Sequence, residues 1–147
     1  MAQSHREERF NDQFIFSEFD FDESVSLDTT FKNILEMNSK KIGDSIIVIF
    51  NPATNANLEY RIYGSLKFAT VAPPDADDSW INILRDPTNV DDFDPANYDH
   101  NFFRSIPSDK RHYESFTNQW SFVRVFARLL SGSGSCKIWH RGAAGGI

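Results

Sequence analysis

The chain has 147 residues, 40% of them hydrophobic and 14% aromatic, with a formal charge of −6. This is the size of one domain with one core, spanning residues 1–147, and no stretch approaches the roughly 18 uninterrupted apolar residues of a membrane span. The net charge conceals a split: residues 1–100 carry 8 Lys/Arg against 19 Asp/Glu, and residues 101–147 carry 7 against 2.

The N-terminal arm, residues 1–9, reads as flexible. It has no apolar h-region, which points to a cytoplasmic, intracellular protein. Arg6 and Arg9 are offset by Glu7 and Glu8, so the arm is not a polybasic tail for packaged RNA or anionic lipid. Phe14-Ile15-Phe16 and Phe19-Asp20-Phe21-Asp22 alternate as strands do, with a change of parity that a bulge near Ser17-Glu18 would absorb. Asp28 before Phe31, Ile34, Leu35 and Met37 predicts a short amphipathic helix with an Asp N-cap, ended by Asn38-Ser39.

Ile42 to Phe50 contains IIVIF, a β-branched and aromatic run expected of a central strand covered on both faces. NPATNAN follows, rich in turn formers. Leu58, Tyr60 and Ile62 then alternate up to Gly64, and Leu66, Phe68 and Thr70 continue the pattern to Val71. The two segments together predict a long hairpin. From Ala72 to Ser115 Pro73-Pro74, Pro87, Pro95 and Pro107 break the pattern, although Trp80 to Leu84 suits a short strand or helical turn. Phe93, Tyr98, Phe102, Phe103 and Tyr113 suggest a segment wrapped over the core and pinned by rings.

Trp120 to Leu130 fits two periods. As a strand it sets Val123, Val125, Ala127 and Leu129 against Arg124, Arg128 and the rings. As a helix it sets Thr117, Ser121, Arg124, Arg128 and Ser131 opposite Phe122, Val125, Phe126 and Leu129. The SGSGS loop and the strand-like Cys136-Lys137-Ile138-Trp139-His140 that follow favour a closing hairpin, with Cys136 a packed thiol and residues 142–147 a flexible tail. The fold expected is a mainly β, antiparallel β-sandwich of jelly-roll type with one or two short helices. The alternative is α+β, with Asn118 to Leu130 helical on an antiparallel sheet.

No spacing of catalytic or metal-ligating residues is present, so no catalytic residue, metal or cofactor is assigned. Asp75, Asp77, Asp78, Asp86, Asp91, Asp92, Asp94 and Asp99 match no EF-hand loop and read as a solvated acidic segment capping turns. A hydrolase built on Asp99, His100 or His112 would need those groups to converge in a pocket. The most suggestive signal is the basic, aromatic C-terminal third. Arg104, Lys110, Arg111, Trp120, Arg124, Arg128, Lys137, Trp139 and Arg141 are the candidate interface or polyanion-binding residues.

These features rank a non-catalytic structural or assembly protein first, a self-associating homo-oligomer of which a small coat-like, virion-borne subunit is one form. A single-stranded nucleic-acid or other polyanion binder is second. A carbohydrate- or protein-binding sandwich module is third, with Trp80, Trp139 and Tyr60 as a stacking platform. Where Arg124 and Arg128 find their counter-charges separates the first two.

Overall fold

The computed structural model describes residues 6–10, 14–18, 24–40, 42–84, 99–117 and 119–144. Among the described residues there are eleven strands: β1 (Arg6–Phe10), β2 (Phe14–Glu18), β3 (Val25–Leu27), β4 (Lys32–Asn38), β5 (Ile42–Asn51), β6 (Leu58–Ser65), β7 (Trp80–Asn82), β8 (Arg104–Ile106), β9 (Lys110–Thr117), β10 (Phe122–Leu129) and β11 (Gly134–Ala144). The first sheet has the order β1-β2-β11-β5-β9, with β3 also on β11; the second has the order β4-β10-β6-β7, with β8 also on β6. All the pairings are antiparallel. The two sheets pack face to face as a β-sandwich. Among the described residues no helix is long and apolar enough to cross a membrane.

Period-2 alternation builds the core. Ile47 and Ile49 of β5 and Cys136 and Ile138 of β11 point inward from the first sheet. Leu58, Tyr60 and Ile62 of β6 and Val123, Val125, Ala127 and Leu129 of β10 meet them from the second. The strand reading of residues 120–130 therefore holds, with Phe122, Arg124, Phe126 and Arg128 on the opposite face, and the helical alternative for Asn118 to Leu130 is excluded.

The helix expected after Asp28 is strand β4. Asp28 does cap a turn, its Oδ1 accepting the Thr30 amide at 2.9 Å, but the chain then pairs with β10. Val125 lies opposite Leu35 and Phe126 opposite Asn33, so Ile34 is the extra residue of a β-bulge. The bulge turns both Ile34 and Leu35 into the core. Two adjacent apolar residues inward, with Met37 two further on, imitate helical spacing. No helix is present among the described residues.

Neither expected hairpin forms. β5 pairs with β11 and β9, and β6 with β10, β7 and β8, so residues 52–57 cross from one sheet to the other. Fully buried Asn51 holds that crossing: its Nδ2 donates to the carbonyls of Ala56 at 2.9 Å and Ile106 at 3.1 Å, and its Oδ1 accepts from Ala53. β10 has both edges occupied by β4 and β6, so β11 passes to the first sheet through the SGSGS segment, where Gly132 takes φ 74°. β6 ends at Ser65 rather than running on to Val71, and Phe68 is 89% exposed.

The N- and C-terminal segments read as flexible contain strand β1 and the end of β11, which runs to Ala144. β1 pairs with β2 through Phe10 opposite Phe14. The expected continuation at Phe19 to Asp22, and the rings Phe93 and Tyr98, lie outside the described residues.

Gly64 marks a close approach: a Cβ there would stand under 3.0 Å from the Trp120 ring. Gly64→Ala is expected to destabilise the fold by about 1–3 kcal/mol, since the indole must move off the sheet. Urea denaturation measures this, with Gly134→Ala as the milder comparison because a Cβ there would meet the flexible Leu129 side chain at 3.2 Å.

Candidate functional site

The nine residues nominated from sequence divide between two surfaces. On the outer face of the second sheet, Arg124 is 9% exposed, yet it has two carboxylates. Its Nε donates to Glu36 Oε1 at 2.7 Å, and its Nη1 meets Asp75. Glu36 sits directly opposite Arg124 in the β4–β10 register, and Asp75 comes from the acidic segment of the same chain. The guanidinium also lies 4.6 Å from the Trp80 ring centroid. The sequence-level question is thereby answered for Arg124: its counter-charges are internal.

Arg128, four residues on, donates from Nε to buried Glu59 Oε1 at 2.8 Å, its opposite residue on β6. Arg104 of β8 pairs through Nε with Glu114 of β9 at 2.8 Å. Glu114 also accepts the Tyr60 hydroxyl, a link between the two sheets. Burial, and then that hydrogen bond, raise the Tyr60 phenol above its ordinary range. Trp120 covers Gly64, and its carbonyl accepts the Ser39 hydroxyl at 2.6 Å. These four residues support structure.

Residues 66–79 lie over this face. Ala69 and Ala72 pack on Tyr63, Trp80 and Phe122, Lys40 Nζ donates to the Ala69 carbonyl, and Trp80 Nε1 donates to Pro74 at 2.9 Å. The acidic residues here cap turns and form ion pairs. Asp77 accepts Lys67 Nζ at 2.8 Å and the Ser79 amide at 2.9 Å, and Asp99 accepts the Asn101 amide at 2.8 Å.

The outer face of the first sheet differs. Arg111, Tyr113, Ser115 and Thr117 of β9 point outward beside Asp44, Ile46, Val48 and Phe50 of β5. Lys137, Trp139 and Arg141 of β11 point outward on the far side. Three rows result: Arg111–Phe50–Lys137, Tyr113–Val48–Trp139 and Ser115–Ile46–Arg141. Arg111 stands 5.1 Å from the Phe50 ring centroid. Tyr113 is 70% exposed and Ile46 is 46% exposed. Lys110, at the start of β9, is exposed beside the turn where Asp109 takes φ 57°.

Among the described residues, Lys110, Arg111 and Lys137 form no ion pair, in contrast to Arg104, Arg124 and Arg128. The structure therefore brings together Arg111, Lys137, Trp139 and Arg141 and sets the other five apart. Ile46, Val48, Phe50 and Tyr113 belong to this face and were not among the nominated residues. For the three β5 residues the signal was IIVIF itself, apolar at both parities.

The groups considered for other chemistry are scattered. His100 stacks on Tyr63 at 5.0 Å, His112 stands edge-on to Tyr60 at 6.3 Å, and His140 is buried with its Nε2 3.1 Å from Ser45 Oγ. Burial pushes the Cys136 thiol up to about 12, which keeps it protonated and unreactive at neutral pH. Tyr60 is in the core and Trp80 lies under Arg124, so they form no sugar platform with Trp139. No protein-family model matches the chain, and no curated protein or solved structure matches it either.

The Lys67 ammonium, followed by the Ser79 donors, holds the Asp77 carboxyl down to about 2, below its ordinary 3.8. A depressed folded value means the interaction is fully in place above about pH 4 and is lost as pH falls towards 2. The protection of the Ser79 amide, taken relative to its intrinsic exchange rate, should fall over that window, and Asp77→Asn should remove that acid dependence.

Proposed function

We propose that this chain is a non-catalytic assembly subunit that self-associates through the outer face of its first sheet, a small coat-like subunit being one form of such a protein. One observation carries the reading. β5 is apolar at both parities, but the second sheet covers only Ile47 and Ile49; Ile46, Val48 and Phe50 face outward beside Tyr113 and Trp139. An antiparallel sheet that faces water normally alternates apolar with polar residues, so a two-sided apolar centre favours a second covering layer.

The occupant is a second copy. Arg111 and Lys137 on this face have no ion pair within the described chain, whereas the chain as a whole carries −6, so another copy supplies the opposite charge. Sedimentation across salt and protein concentration should show oligomers that dissociate as salt rises. Tyr113→Ser with Lys137→Glu should leave the monomer at all salts with its denaturation midpoint retained. A wild-type chain that stays monomeric at high concentration and low salt would sink the proposal.

The same face supports a second reading, binding of single-stranded nucleic acid or another polyanion. The observation in its favour is the gathering of Arg111, Lys137 and Arg141 around Phe50, Tyr113 and Trp139, cations beside rings on which bases stack. Under this reading, the logarithm of oligonucleotide affinity falls linearly with log salt concentration, and Arg111→Ala and Lys137→Ala each reduce that slope by about 1. Fluorescence anisotropy with a labelled oligonucleotide measures it; an absence of binding at low salt removes the reading.

A further inference from the structure

A separate hollow lies on the outer face of the second sheet, with a volume of about 250 Å³. Its described walls include Phe31, Tyr63, Trp80 and Phe126, with Arg61, Asp75 and His100 at the polar side. Three arginines reach the surroundings of this hollow, and two are matched: Arg124 has Glu36 and Asp75, and Arg128 has Glu59. Arg61 is the exception. Its guanidinium carbon sits 4.1 Å from the Phe31 ring centroid, and among the described residues no carboxylate lies within ion-pair distance of it and its buried Nε has no hydrogen-bond acceptor.

A buried N–H without an acceptor is unfavourable, and a guanidinium fork is shaped to take a carboxylate through two parallel hydrogen bonds. The hydroxyl of Tyr63 donates to the His100 carbonyl at 3.0 Å and takes a hydrogen bond from the Arg61 side chain, which leaves Arg61 Nε without an acceptor among the described residues; the Asp75 carboxylate is committed to Arg124. Arg61 thus keeps donor capacity at Nε on the polar side of the hollow, while the rings offer flat apolar walls.

We propose that this hollow is a binding site for a small aromatic carboxylate, its carboxylate received by Arg61 and its ring lying against Trp80 and Phe126. This site is independent of the first-sheet face, whose tryptophan is Trp139. That separation makes the test selective. The probe is benzoate, with benzamide as the uncharged counterpart of the same shape. Binding is followed through the indole N–H signals of Trp80, Trp120 and Trp139 in nitrogen-15 spectra, assigned by Trp→Phe variants.

Benzoate at millimolar concentration should shift the Trp80 signal saturably, and benzamide should bind about tenfold or more weakly because the charge-assisted bonds are lost. Arg61→Gln should weaken benzoate at least as much, with Arg61→Lys intermediate, provided the spectra remain those of the folded chain. The proposal is overturned if Trp80 does not respond, if benzoate and benzamide bind alike, or if Trp139 alone shifts. An unchanged affinity in a folded Arg61→Gln protein overturns it as well.

Discussion

A guanidinium in the middle of a sheet face organises this molecule. Arg124 stands on β10, flanked by β4 and β6, where an unpaired charge would cost several kcal/mol. Glu36 from the neighbouring strand answers it within the sheet, and Asp75 answers it from residues 66–79. Trp80 supplies a ring beneath it. Because one of the partners belongs to a loop, satisfying this charge draws the loop across the sheet. The second sheet thereby acquires a cover on both sides, and Tyr63, Trp80 and Phe122 become a small second core.

That arrangement makes the two sheets unequal. The second spends its outward arginines on Glu36, Asp75 and Glu59, and its outward rings are buried by Ala69, Ala72 and Phe126. The first keeps Arg111 and Lys137 without carboxylate partners among the described residues and leaves Ile46 and Tyr113 exposed. Charge that looked like a single property of the C-terminal third is therefore two populations, one structural and one available for contact. The inter-sheet link from Tyr60 through Glu114 to Arg104 belongs to the structural population.

Much of the architecture was legible because alternation survives tertiary packing. Val123, Val125, Ala127 and Leu129 sit inward as the strand reading of their spacing required, and Trp80 to Asn82 takes the strand form of the two considered for Trp80 to Leu84. The errors have definite causes. Ile34 and Leu35 imitate a helix because a bulge points consecutive side chains the same way, which no period of 2 represents. β9 went unseen because its inward positions are His112, Glu114 and Phe116, two of them polar. They are accommodated by Tyr60 and Arg104, which arrive from elsewhere in the chain.

Composition and local pattern by themselves determined the mainly β character and the two-sided apolar run of IIVIF, and left residues 120–130 open between strand and helix. They also marked the basic aromatic third as the place to look. Which strands are neighbours, and which cations are already paired, only the tertiary structure decided. Turn-forming residues are the same whether a chain doubles back within a sheet or crosses to the other, so NPATNAN and SGSGS could not reveal their crossings. Ion pairing depends on approach through space: Arg124 meets Asp75 across 49 positions of sequence, while Lys137, seven residues before the end of the last strand, meets no carboxylate among the described residues.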